Sequence, residues 1–394
     1  MDINDQKTDT SWYKDLSEQV ESNKYIIDEY FDLELARQII EKVICYLEIS
    51  FFRSRFIGFE NYPERNNPEV PLIFASNHSG MAFPWDGIIL ASGVYKMFDY
   101  GPKSFRPLAS PMLSESVLMN PYLYKNLWKL VGSVDASFLN FETMMHQNDH
   151  NVLIYPEGVD GIGKGFNHRY QLQRFSSSYI TMSIKYKTDI IPIHTVNGEF
   201  INPLAYRSKR VNKLVNKIGV PYLPLGPVSA LMPFQPWIFY AALPAKLTYV
   251  MGKKISPYKM TDKPIDQLSH EELSSINDSV KAEMQNQLNE AVEEHGQSPY
   301  NMKEFIPLNF KHIRKFPYNF PFGWFLVFSE FKRVWRKYKG KDVPLKLGFL
   351  SSLRILITQP FNIWYFIPII GWIPILIKGI TIRQRNRKKA EKTN

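Results

Sequence analysis

The chain has 394 residues, 44% of them apolar and 22% charged, which suits one large domain with appendages or two domains and excludes global disorder. A single cysteine, Cys45, excludes an intramolecular disulfide framework and a cysteine-rich zinc or iron–sulfur centre. The net charge of +10 is uneven: from Asn301 onward there are 19 Lys/Arg against 4 Asp/Glu, while the first 300 residues hold 29 basic and 34 acidic groups, so a basic appendage is expected and a nucleic-acid surface is not.

Residues 1–30 read as a polar, acidic tail whose first ten residues are mobile. No basic stretch precedes an apolar run there, so no secretory signal is expected. Within residues 31–54, Leu35, Ile39, Ile40, Val43, Ile44 and Leu47 recur at three- and four-residue steps, which predicts an amphipathic helix from Phe31 to about Phe52. Its stripe suits either a core or a membrane surface. From Arg55 to about Lys254 strand and helix patterns alternate, with buried-type strands at Pro71–Ser76, Asn151–Tyr155, Asp189–Ile193 and Lys246–Met251. This predicts an α/β domain over residues 55–300, a central mostly parallel or mixed sheet flanked by helices. Pro264 to about Gly296 carries a four-step stripe from Leu268 to Val292 and predicts a surface helix on that domain.

Residues 301–394 differ in kind, being basic and apolar. Phe361–Ile377 has no charged residue, yet it is shorter than the ~20 apolar residues of a spanning helix and is broken by Pro368, Gly371 and Pro374. Lys346 and Arg354 precede it; Lys378, Arg383, Arg385, Arg387, Lys388 and Lys389 follow it. The expectation is a helical, membrane-associating segment, a re-entrant hairpin turning near Gly371 with both flanks on the cytoplasmic side. A tilted span and a soluble helix pair are the alternatives.

Two clusters carry possible chemistry. The first follows the first strong strand, Ser76 to Gly87, and contains His78 and Asp86. A carboxylate can fix the tautomer of an imidazole whose other nitrogen removes a proton from a hydroxyl. A straight helix would hold the two ~12 Å apart, so Gly80 and Pro84 must break the link, with Pro84 opening a helix and Asp86 in its first turn. The second cluster, Tyr155 to Phe166, has four glycines in eight residues, and Lys164, Arg169 and Arg174 follow as possible anion holders. Gly158 to Lys164 also spells most of a phosphate-binding loop, but Gly165 stands where a Ser or Thr would bind Mg²⁺. A G-x-S-x-G elbow is absent, and the eight His show no metal-ligand spacing, so no metal is expected.

Together, Asn77-His78 with Asp86, Pro156-Glu157-Gly158, and Ile190-Ile191-Pro192-Ile193 resemble, in this order, the signature of the glycerophospholipid acyltransferase superfamily, the lysophosphatidate acyltransferase-like enzymes, over residues 55 to 255. Gly161 to Phe166 with Tyr170 to Phe175 looks like a bacterial-type branch. The resemblance implies a 1-acylglycerol-3-phosphate O-acyltransferase-like enzyme. It would move a fatty acyl group from an acyl thioester, acyl-CoA or acyl-carrier protein, to a lipid hydroxyl at a membrane without a further cofactor. His78 would be the general base and Asp86 its orienter. Asn77, Glu157, Gly158, Lys164, Arg169 and Arg174 would be substrate-binding. Two departures stand out. Seven residues separate His78 from Asp86 where the family usually has four, and Gly132 to Ser137 lacks the Arg that often holds an acceptor phosphate. A non-catalytic lipid-binding or membrane-tethering protein on the same scaffold is the alternative.

Overall fold

Successive side chains of the central strands feed two separate cores, one on each face of a single sheet. The computed structural model describes residues 12–81, 83–120, 122–216, 222–338 and 342–379. The mobile first ten residues and the basic cluster Arg383 to Lys389 expected from sequence lie outside the described residues.

Seven strands make the sheet: β1 (Arg55–Ile57), β2 (Ile73–Ser76), β3 (Phe105–Ala109), β4 (Val134–Asp135), β5 (Asn151–Ile154), β6 (Ile190–Val196) and β7 (Thr248–Met251). Their spatial order is β1-β7-β6-β2-β5-β3-β4. All pairings are parallel except β6 with β7, so this is a mixed, mostly parallel α/β sheet. Phe74, Leu153, Ile191 and Ile193 enter one core; Ile73, Ala75, Val152, Ile154 and Ile190 enter the other. This is the strand period of two read out in three layers.

Strands β1, β3 and β4 are beyond those read from the sequence. β1 and β4 have only three and two residues, and β3 carries Arg106 and Pro107 in its middle, both poor strand signals. Arg106 is buried nonetheless. Its guanidinium donates to Gly132 O at 2.8 Å and Ile27 O at 2.7 Å and lies 4.5 Å from the Phe31 ring centroid.

The helical stretch predicted from Phe31 begins at Leu33, where Asp32 caps the Leu35 N–H, and runs on through π turns to Phe51. Leu35, Ile39, Ile40, Val43, Ile44 and Leu47 are all buried, so the stripe faces protein and not lipid. Residues 12–30 do not hang free. Asn23 bonds Asn140 and Thr143, and Trp12 Nε1 bonds Leu268 O. The surface helix spans His270–His295 and opens with a capping box between Ser269 and Glu272.

Past residue 300 the chain adds to the core of the α/β domain. Trp324, Phe325, Phe328, Phe331, Val343 and Ile355 join the same cluster as Trp85 and Phe74. Beyond them the chain breaks into short turns, Pro360–Phe366 and Ile370–Trp372, then helical residues 373–379. No helix among the described residues is long and apolar enough to cross a membrane.

Helix Trp85–Met97 packs close to the sheet edge at Gly93, where an added Cβ would stand 2.0 Å from Phe56 Cζ of β1. Gly93→Ala is expected to push β1 outward and cost about 1–3 kcal/mol, measured as a lower midpoint of thermal unfolding. An unchanged midpoint would contradict this packing.

Candidate active site

β6 runs on to Val196, three residues past the β2 pairing that ends at Ser76 with Ile193. Asn77 fills the gap. Its Oδ1 accepts from Thr195 N at 2.7 Å and its Nδ2 donates to Thr195 O at 3.0 Å, so a side-chain amide continues the ladder. On the other side the His78 N–H donates to Glu157 Oε1 at 3.0 Å. Glu157 follows β5, is buried, and accepts from Gln173 N through its second oxygen at 2.6 Å. The chain leaving β2 is thus pinned to both neighbouring strands at the carboxyl end of the sheet, where open α/β sheets hold ligands.

The turn then folds back. Gly80 and Met81 take positive φ of 109° and 63°, Met81 N donates to Ile162 O at 3.1 Å, and Pro84 caps helix Trp85–Met97. This return brings Asp86 to His78 across seven intervening residues: His78 Nδ1 lies 2.7 Å from Asp86 Oδ2. The same oxygen accepts the Ser79 N–H at 2.9 Å. Asp86 is fully buried in the first turn of the helix, where the N-terminal dipole favours a negative charge. A carboxylate on Nδ1 assigns the proton to that nitrogen, leaving Nε2 as an acceptor with no partner among the described residues.

His78 lines a cavity of about 270 Å³ whose walls are nearly all apolar, including Ile40, Ile88, Leu113, Trp128 and Phe328. Tyr155, at the end of β5, lies against the imidazole with ring centroids 4.3 Å apart. Burial, and then the neighbouring Asp86, pushes its phenol well above the usual range, so it stays neutral. Tyr155 adjoins the Pro156-Glu157-Gly158 motif, and its contact with His78 was not foreseen from sequence; adjacency to that motif is the only hint in the chain.

The remaining candidates divide. Gly158 lines the cavity at φ 55°, a left-handed backbone that a Cβ would strain although nothing lies within 4 Å to obstruct one. Lys164 does not face a ligand. It is 1% exposed, with Nζ 3.0 Å from Glu199 Oε1. Burial alone would lower its pKa, but Glu199 and then Glu157 outweigh this and hold it raised. An ammonium engaged this way cannot cradle a triphosphate, and the phosphate-loop reading fails. Arg169 is exposed and lies over the Phe166 ring at 5.0 Å, away from both His78 and the cavity. Arg174 is exposed and lines a second groove of mixed polar and apolar walls that also reaches Glu157 and Gly158. No Arg faces the site from Gly132 to Ser137; the nearby Arg106 is committed to backbone carbonyls.

No protein-family model matches the chain. Over 263 residues, 65% of this chain, it is 26% identical to an uncharacterized protein of Mycobacterium tuberculosis, of which the match covers 68%. It is 27% identical to an uncharacterized protein of Mycobacterium leprae over the same length, covering 66% of that protein. Among solved structures it is similar to the 1-acyl-sn-glycerophosphate (LPA) acyltransferase PlsC from Thermotoga maritima, at 13% identity and a TM-score of 0.35, covering 73% of this chain and 86% of that one.

The buried Lys164–Glu199 pair yields a prediction. Lys164→Met leaves the Glu199 carboxylate buried without its cation and is expected to cost about 3–5 kcal/mol of stability. Adding Glu199→Gln, which keeps an acceptor for the Tyr170 N–H, should recover much of it. Additive losses in a thermal-unfolding double-mutant cycle would contradict the pairing.

Proposed function

We propose that the protein is an O-acyltransferase that moves a fatty acyl group from an acyl thioester, acyl-CoA or acyl-carrier protein, to the hydroxyl of a membrane lipid. The acceptor class is a lysophospholipid, a glycerolipid or a neutral lipid alcohol. The observation that carries the reading is the 2.7 Å His78–Asp86 contact on the wall of an apolar cavity. The imidazole has an oriented tautomer, a free nitrogen and an apolar recess beside it. These are the parts needed to activate a weak hydroxyl next to an acyl chain.

In this reading Nε2 of His78 takes the acceptor's hydroxyl proton as the oxygen attacks the thioester carbonyl. The C–O bond forms, the C–S bond breaks, and the departing thiolate receives the proton from the imidazolium. Asp86 stabilises that imidazolium. Asn77 and Glu157 act as positioning residues through the backbone on either side of the imidazole. No covalent enzyme intermediate is needed.

The site would work at a membrane surface, on its cytoplasmic face. Helix Phe349–Thr358 and the turns after it expose Leu350 and Ile357 at 79% each, with Phe361, Trp364 and Ile369 also outward. Such a patch is unusual on a free surface. Lys332, Arg336 and Lys378 gather nearby: burial lowers the Lys332 pKa most, and the two other cations lower it further, a positive charge that suits anionic headgroups. A shallow, interfacial attachment fits the absence of a spanning-length helix among the described residues.

Two outcomes are expected. With labelled acyl-CoA and a panel of lipid alcohols, purified protein should form acylated lipid, His78→Ala should lower the rate by ~10²–10⁴-fold, and Asp86→Asn should lower it less. Lipid binding without transfer would favour the lipid-binding alternative, and full activity in folded His78→Ala would refute the mechanism. In sedimentation with anionic vesicles, Leu350→Asp/Ile357→Asp should leave most of the protein in the supernatant with an unchanged unfolding midpoint. Undiminished vesicle binding would refute this docking face.

A further inference from the structure

A second recess meets the apolar cavity beside His78, on the opposite face of the sheet. It is a groove of about 840 Å³, lined by polar and apolar groups alike, that shares Leu108, Ala136, Tyr155 and Gly158 with the cavity. From there it runs to the N-terminus of helix Ser178–Tyr186 and the flank of helix His270–His295. Two cations line it, Arg174 and Lys281, and neither has an ion-pair partner among the described residues. Ser176, Ser177 and Ser178 add hydroxyl groups at the helix start, where the dipole also favours an anion. Of the carboxylates on the groove, Glu157 has both oxygens engaged by N–H groups and Asp160 is paired with Arg207. Asp278 has neither a hydrogen-bond nor an ion-pair partner among the described residues.

Asn277 says what else the occupant must offer. It is 7% exposed, lines the groove, and donates through Nδ2 to Phe175 O at 3.3 Å, which fixes the orientation of its amide. Its Oδ1 is buried with no hydrogen-bond partner among the described residues. A buried acceptor left unpaired is unfavourable. A simple phosphate headgroup has no N–H to give it. A ligand with both an anionic phosphate and amide N–H groups supplies partners for the two cations and for Asn277 Oδ1.

Resting on the acyl-transfer reading, we propose that this groove holds the phosphopantetheine arm of the acyl donor. Its phosphate lies against Arg174 and Lys281, an amide N–H meets Asn277 Oδ1, and its thioester end reaches Tyr155 and Gly158 beside His78. The acyl chain then lies in the apolar cavity, so the two recesses divide one amphiphilic substrate at the bond to be broken.

The test is calorimetric binding to the full-length protein of free CoA, 4′-phosphopantetheine and unphosphorylated pantetheine, with acyl transfer assayed in parallel. Arg174→Ala/Lys281→Ala is expected to bind CoA roughly tenfold more weakly, about the loss from two partly exposed charge contacts, with pantetheine binding unaltered. Equal weakening with 4′-phosphopantetheine assigns the contact to the pantetheine phosphate; weakening with CoA alone assigns it to the nucleotide phosphates. Either supports the groove. Asn277→Leu, checked for a native unfolding midpoint, should weaken pantetheine as well. Unchanged CoA affinity in folded Arg174→Ala/Lys281→Ala overturns the proposal, as does a KM that rises for a phosphorylated acceptor alone. Where the wild type transfers acyl groups in a His78-dependent way, such a result refutes the groove only. Absence of transfer refutes the parent reading whatever the calorimetry gives.

Discussion

The site depends on how the chain is held as it leaves β2. A strand in the middle of a parallel sheet ends with its next residues facing open backbone on both sides, and buried backbone groups must find partners. Here Asn77 completes β6 with a side-chain amide, and Glu157, coming from β5, accepts the His78 N–H. Each neighbour thus grips one of two successive residues. The imidazole projects from a backbone with little freedom, and only then can a turn of seven residues return Asp86 to within 2.7 Å of it.

The rest of the architecture supports that turn. Trp85, next to Asp86, donates its indole N–H to Tyr240 O at 3.2 Å and packs against Phe52, Phe83 and Trp324. Tyr249 of β7 donates to the Asp86 carbonyl at 2.8 Å. These contacts come from elements spread over the chain, including the helix at Trp324–Tyr338. They fix where the helix carrying Asp86 begins, and a shift of its first turn would open the His78–Asp86 contact.

Much of this was legible in the residues. The four long apolar strands, the break at Gly80 and Pro84, and the helical stripes at Phe31 and Pro264 follow from period and turn chemistry. The placement of Asp86 in the first turn of a helix follows from Pro84. What the residues could not show is which face a charged side chain takes. Lys164, Arg169 and Arg174 read alike in sequence as basic groups after a glycine loop. In the fold one is sealed against Glu199, one lies over Phe166, and one lines the second groove. Glu199, Thr195 and Tyr155 could not be assigned from sequence because their partners, Lys164, Asn77 and His78, lie far away along the chain. β3 was hidden by Arg106, whose charge is met by the carbonyls of residues 27 and 132 and the Phe31 ring, all distant in sequence.

The same long-range closure changes the meaning of the C-terminal region. Composition sets it apart as a basic, apolar appendage. Trp324 and Phe328 nevertheless form part of the cavity wall next to His78. Phe325, on the same helix, packs on Phe366 at 5.0 Å, within the turns that expose the apolar patch. Close-packed interiors transmit displacement because they contain few voids to absorb it. The exposed apolar surface over residues 349–377 is therefore in mechanical contact, through one helix, with the recess beside His78. The region is at once an exposed apolar surface and one side of the cavity, and its aromatic residues divide accordingly between a buried face on Trp85 and an outward face at Phe361 and Trp364.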